Sequence, residues 1–160
     1  MEGQYTYTVN ASSTTTRSGI VGSDEIVPPI AFSAPPEFQG EAGNWTPEHF
    51  FVASAAACFV STFSGMASIS KFDFLSLQVA TEGTIQKGEG GWCFTALKLC
   101  PRLTIAVEKD RERANRLLEK AEKICLVTRS LSCRISLEPE IVVGAGEPER
   151  KSGRNSVSGK

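Results

Sequence analysis

The sequence has little histidine and no paired metal-ligand motif. Its 160 residues include one histidine, His49, and five cysteines, and no two cysteines form a Cys-x-x-Cys pair. A zinc site would therefore need three or four cysteines converging from distant segments, so we expect no metal and no cofactor. An odd number of cysteines also fits a structural disulfide framework poorly. The special roles left for cysteine are redox or nucleophilic chemistry.

An excess of charge of either sign is absent as well. Lys and Arg number 17 against 18 for Asp and Glu, which gives a formal net charge of −1. That balance excludes the basic surface typical of proteins that bind nucleic acid or an anionic membrane. Residues 1–4 carry neither a basic start nor an apolar run, so no export signal is predicted. We expect a cytoplasmic protein with no nucleic-acid or membrane partner.

Charge is missing altogether from residues 50–70. Just before this run, Thr46 is a favourable helix N-cap, Pro47 suits the first helical position, and Glu48 complements the helix dipole. The run is long enough to raise a membrane span. However, it holds five serines, a threonine and a glycine. A helix that is apolar on nearly every face then indicates the buried central helix of a soluble domain.

The remaining pattern predicts strands on both sides of a second helix. A helix over residues 110–127 has an inward apolar stripe that includes Cys125. Grouped strands predict an α+β fold with antiparallel sheets packed on two main helices. A single domain should span residues 1–143, because residues 144–160 are rich in Gly, Ser and charge and predict a disordered tail. The predicted strands cover residues 4–11, 20–21, 26–32, 74–86, 92–107 and 133–143.

Two of the cysteines fall inward on the two predicted helices, Cys58 on the first and Cys125 on the second. Free cysteine is among the most buried residue types and commonly does no more than pack. Periodicity therefore leaves two interpretations of Cys58 and Cys125 open, namely that they only pack or that they react. Cys93, Cys100 and Cys133 lie on predicted strands without an evident partner, which favours an inert role for them.

The first helix carries a motif that resembles a known family. Its sequence is Thr46-Pro47-Glu48-x-Phe50-Phe51-x-Ala53-x-x-Ala56-Ala57-Cys58-Phe59. This is similar to the signature of the OsmC/Ohr family, the osmotically induced and organic hydroperoxide resistance proteins. Cys125 matches the family's second cysteine. Leu126 stands where the family usually has proline, and residues 54–57 replace its tyrosine, which indicates an outlying branch.

This resemblance implies an OsmC-like intertwined homodimer that acts as a thiol peroxidase on organic hydroperoxides. Cys58 would be the peroxidatic cysteine and Cys125 the resolving one. Arg17, matched by its loop position, and Glu48 would complete the site. The resemblance also implies a dithiol reductant of the lipoyl-bearing protein type.

The chemistry sets conditions on this site. Apolar surroundings raise the pKa of a thiol, and no Lys or Arg lies between Pro47 and Ser70. We therefore expect a cation from elsewhere, with Arg17 as the candidate and Glu48 holding its guanidinium. Ten helical residues separate Glu48 from Cys58, about 15 Å. If both serve one site, either Glu48 comes from a neighbouring subunit or the helix is broken.

Two other functions compete with the peroxidase. One is a non-catalytic OsmC-like dimer whose cysteines only pack, and which binds a small apolar ligand. The other is a cysteine hydrolase, which needs a base beside its nucleophile. The only histidine, His49, is nine residues from Cys58, about 13 Å along a helix.

Overall fold

A computed structural model of the chain describes residues 3–144, and over these residues the α+β prediction is confirmed. Most of the predicted disordered tail lies outside the described residues. The helices are Pro47–Ile69 (α1), Arg111–Ile124 (α2) and Leu126–Arg129 (α3). The strands are Asn10–Ser13 (β1), Ser18–Ser23 (β2), Ile26–Ser33 (β3), Ser76–Gly88 (β4), Gly91–Ile105 (β5), Arg134–Leu137 (β6) and Glu140–Val143 (β7).

The first three strands form an antiparallel sheet in the order β1-β2-β3. The prediction of a strand over residues 4–11 was wrong at its start, because β2 lies opposite only Asn10–Ser13. In this register Asn10 faces Gly22, and β2 ends one residue later at the hairpin turn into β3. The preceding residues run past that turn without a partner strand. Tyr5 and Tyr7, which precede β1, are 82% and 92% exposed.

The second sheet is built on the predicted antiparallel β4–β5 hairpin. Strands β6 and β7 both pair with β5 in parallel, so the prediction of purely antiparallel sheets was wrong here. The chain passes from β5 through α2 before it returns, and such a crossover permits parallel pairing. The predicted single strand over residues 133–143 is also two strands. Its interruption contains Pro139, which has no N–H to donate.

Helix α1 begins where the sequence predicts. Thr46 Oγ1 accepts a hydrogen bond from the His49 N–H at 3.2 Å, and His49 Nδ1 accepts one from the Thr46 N–H at 3.2 Å. This reciprocal capping box fixes the entry into the helix. Among the described helices, α1 alone is long and apolar enough to cross a membrane by length and composition.

Burial of α1 is confined to one face within the chain. Ala55, Phe59, Phe63 and Ala67 are buried at steps of four residues. The prediction of burial on nearly every face was therefore wrong for a single chain. The other faces carry mostly small residues that nothing in the described chain fully covers.

The buried face of α1 packs against β4 and against α2, whose inward stripe is confirmed. The predicted end of this helix at residue 127 was wrong, because α2 stops at Ile124 and Cys125 has ψ 119°. Thr128 Oγ1 donates to the carbonyls of Glu122 at 3.2 Å and Cys125 at 3.3 Å. These bonds satisfy acceptors that the end of a helix leaves free, so the chain can turn there and start α3.

Candidate active site

The centre of the site is a pair of cysteines that are 67 residues apart in the sequence. Cys58 lies on α1 and is half-buried, whereas Cys125 lies at the break between α2 and α3 and is fully buried. Their side chains are within hydrogen-bonding contact, and both thiols are free. The fold thus brings together the two cysteines that the sequence singles out.

The surroundings of Cys58 favour its thiolate. Burial raises the pKa of Cys58, but hydrogen bonds from the Val127 N–H, the Cys125 thiol, the Thr62 hydroxyl and the Leu126 N–H together hold it below its ordinary value. Thr62 Oγ1 lies 4.0 Å from the sulfur. Burial thus has the raising effect that we expected, but hydrogen-bond donors within the chain outweigh it before any cation is considered. Two of these donors are backbone N–H groups at the start of α3, so part of the stabilisation of the charge comes from within the chain.

Cys125 has the opposite tendency. Burial raises the pKa of Cys125, the Thr128 backbone and hydroxyl lower it, and the neighbouring Cys58 raises it further. The net direction is upward, so Cys58 is the more readily ionised of the two thiols and Cys125 the one that more readily keeps its proton. A thiolate paired with a thiol donor is the arrangement that a nucleophilic sulfur and a waiting partner require.

Sequence reasoning missed three of the donors around Cys58. Thr62 could have been found, since it lies four residues after Cys58 and so on the same helical face. Leu126 and Val127 could not, because they act through backbone N–H groups and their positions depend on where α2 ends.

Glu48 lies apart from the cysteines, at the second residue of α1. It lines a cavity of about 410 Å³ whose apolar wall includes Phe38, Val52 and Phe94. Its Oε2 is buried and has no hydrogen-bond partner within the described part of the chain. Burial of an unpaired carboxylate oxygen is unfavourable, so this atom points to a missing donor.

Arg17 lies in the loop between β1 and β2, as predicted. Its Nη2 donates to Gln39 Oε1 at 3.4 Å, and the residue is exposed. Over residues 3–144 it makes no ion pair, with Glu48 or any other carboxylate. Gln39 directly follows Phe38, which lines the Glu48 cavity, so Arg17 contacts the residue next to the cavity wall.

The other candidate groups have local roles. His49 belongs to the capping box of α1 and lies well away from Cys58 along the helix. Cys93 is exposed, whereas Cys100 and Cys133 are half-buried and unpaired. Between residues 3 and 144 no group of three or more His, Cys, Asp or Glu side chains could hold a metal ion.

Comparison with known proteins gives a consistent result. The profile of the family described as OsmC-like protein matches residues 40–140. An organic hydroperoxide resistance protein of Xanthomonas axonopodis pv. citri is 30% identical over 123 residues, covering 74% of this chain and 82% of that protein. An uncharacterised Bacillus subtilis protein is 26% identical, covering 80% and 86%. An OsmC-like protein of unknown function from Vibrio cholerae matches with a TM-score of 0.75 at 17% identity, covering 85% and 99%.

Proposed function

Because this chain belongs to the OsmC-like protein family, we propose that it is a thiol peroxidase that reduces organic hydroperoxides to alcohols. The observation that carries this proposal is the contact between Cys58, whose pKa is lowered, and Cys125, whose pKa is raised. A merely packed pair of thiols would not need donors directed at one sulfur. The relative named for organic hydroperoxide resistance supports the same chemistry.

The reaction proceeds in three balanced steps. The Cys58 thiolate attacks the distal peroxide oxygen and breaks the O–O bond, and the alkoxide takes a proton to leave as the alcohol. Cys58 is then a sulfenic acid, two electrons more oxidised. The Cys125 thiol attacks that sulfur, a Cys58–Cys125 disulfide forms, and water leaves. An external dithiol reduces the disulfide by exchange and becomes a disulfide itself.

The position of Glu48 supports a site shared between two subunits. Glu48 and Cys58 lie about 15 Å apart along α1, and this helix runs unbroken from Pro47 to Ile69. Glu48 and Arg17 of one subunit would therefore face Cys58 and Cys125 of the other. Two-fold symmetry then creates two equivalent sites at one interface.

Uncovered apolar surface supports the same intertwined homodimer. The residues before β1 extend beyond the end of β2 and alternate aromatic with polar side chains. They are therefore suited to form a β-strand beside a second copy of the chain. The outer faces of α1 are uncharged, and Ile69 near its end is 86% exposed. The exposed tyrosines and the exposed Ile69 are apolar groups that a second copy could cover.

Arg17 and Glu48 complete the proposed site. Glu48 Oε2 would bind the Arg17 guanidinium, whose charge then stabilises the Cys58 thiolate and the departing alkoxide. The apolar cavity wall favours organic peroxides over hydrogen peroxide. The dithiol reductant would be of the lipoylated-protein type, and the activity cytoplasmic.

Intact-mass analysis tests the proposal. The reduced protein receives one equivalent of cumene hydroperoxide, with Cys58→Ser as the control variant. We expect the loss of two hydrogens, mapped by peptide analysis to a Cys58–Cys125 link, and no change in the control. An unchanged mass, or oxidation scattered over Cys93, Cys100 and Cys133, would favour the non-catalytic dimer instead.

A further inference from the structure

The cavity that holds Glu48 contains a second polar group without a partner. Thr81 lies on β4 and lines this same cavity. Within residues 3–144, the buried side-chain atoms that lack a hydrogen-bond partner are Glu48 Oε2 and Thr81 Oγ1. Buried polar groups are normally hydrogen-bonded, so two exceptions in one cavity indicate that donors are missing from it.

A single group that serves both oxygens must offer at least two donors. Thr81 Oγ1 does not bond Glu48, so neither atom serves as the partner of the other. A guanidinium presents five N–H donors in a rigid plane and has no acceptor, whereas a lysine ammonium is a compact point charge. Two separate acceptors in an otherwise largely apolar wall therefore fit a guanidinium better than an ammonium.

Arg17 supplies a guanidinium one residue away from the cavity wall, because it contacts Gln39, which follows the wall residue Phe38. Its contact with Gln39 is long, at 3.4 Å, and exposed, so it is weak and easily exchanged for a better one. We propose that Thr81 is a positioning residue, whose hydroxyl oxygen and Glu48 Oε2 together hold the Arg17 guanidinium. This proposal rests on the proposed function, which assigns Arg17 to the peroxidase site.

The Thr81 hydroxyl would orient the Arg17 guanidinium as well as help to bind it. With Glu48 alone, the guanidinium can rotate about the axis of its carboxylate contact. A second acceptor on a strand of the sheet removes that freedom, so the charge faces one direction. Thr81 then acts through Arg17 and has no contact with the peroxide.

The test compares Thr81→Val, which replaces the hydroxyl with a methyl group of similar size, with Thr81→Ser, which keeps the hydroxyl and loses the methyl group. The measurements are the second-order rate constant with cumene hydroperoxide and the pH profile of Cys58 alkylation by iodoacetamide. We expect Thr81→Val to lower the rate constant about tenfold, which corresponds to about 1.4 kcal/mol, and to move the alkylation profile to higher pH. Thr81→Ser should stay close to the wild type on both.

A double-mutant cycle with Arg17→Gln separates positioning from a structural effect. If Thr81 acts through Arg17, Thr81→Val has no further effect in the Arg17→Gln background. Additive losses, equal losses in Thr81→Val and Thr81→Ser, or an unchanged rate in Thr81→Val would each overturn the proposal. The proposed function fails by a different result, namely the absence of a Cys58–Cys125 link after peroxide treatment of the wild type.

Discussion

Replacement of Leu126 by proline removes one donor from the Cys58 sulfur with little other disturbance. Leu126 is the first residue of α3, where proline is well tolerated because that N–H has no helical partner. Cys125 has φ −59° and ψ 119°, an extended conformation that a following proline accepts. The side chain of Leu126 is 73% exposed, so its loss removes little packing.

The expected magnitude follows from the lost hydrogen bond. A bond to a charged group contributes about 1.5–3 kcal/mol, and the half-buried position of Cys58 favours the lower end. Because the Leu126 N–H is the smallest of the contributions that lower the pKa of Cys58, we expect less than this, and Leu126→Pro should reduce the iodoacetamide rate of Cys58 at pH 7 about threefold. The sign is fixed, because the N–H lowers the pKa of Cys58 and its removal leaves less thiolate at a given pH.

Alkylation followed by peptide mass analysis measures this effect. The measurements cover about two pH units on either side of neutrality, a range that includes the pKa of an unperturbed cysteine. Leu126→Ala is the matched control, since it truncates the same side chain and keeps the N–H. Equal rates and equal pH profiles in Leu126→Pro and Leu126→Ala would refute the reasoning that the backbone donor stabilises the thiolate.

Three further perturbations test separate parts of the structure. Cys125→Ser should leave the Cys58 sulfenic acid without its partner, so excess peroxide drives it to sulfinic acid by intact mass; a stable sulfenic acid would contradict this. Thr46→Ala should lower the free energy of unfolding by about 1 kcal/mol in urea titration, and Thr46→Ser should lower it less, because only serine can still cap α1. Deletion of residues 3–8 should shift sedimentation from dimer toward monomer, and an unchanged dimer would exclude this segment from the interface.

Local chemistry made the start of α1 and the β4–β5 hairpin predictable. Thr46 and Pro47 specify a helix start through side-chain capping and a fixed φ, which depend on neighbouring residues alone. The hairpin shows two strand patterns around a glycine-rich turn. Each of these signals lies within a few residues of the element that it specifies.

Features that depend on distant contacts were not predictable. The apolar stripe of the second helix continues to Cys125, and no Gly or Pro marks the end at Ile124. Parallel pairing of β6 and β7 depends on the path of the chain through α2, which a strand pattern does not encode. Residues 4–9 have the composition of a strand, but a strand forms only where a partner lies alongside.

In the candidate site, too, the residues within local motifs were predictable and those that depend on distant contacts were not. The helix motif led directly to Cys58 and Glu48, and the spacing of the second helix led to Cys125. The electrostatic role of α3 was missed because almost every residue has a backbone N–H, so residue types do not show which N–H groups face the Cys58 sulfur. Thr81 was missed because its significance depends on a cavity that β4 and α1 form together.

The break at Cys125 has one more consequence. This residue supplies one of the hydrogen bonds that lower the pKa of Cys58, and it is also the thiol that would close the disulfide. Formation of the disulfide would consume the Cys125 thiol that lowers the pKa of Cys58. The reductant that opens the disulfide would restore both thiols together. Reduction of the disulfide would thus regenerate the nucleophile and restore the donor that lowers its pKa in a single step.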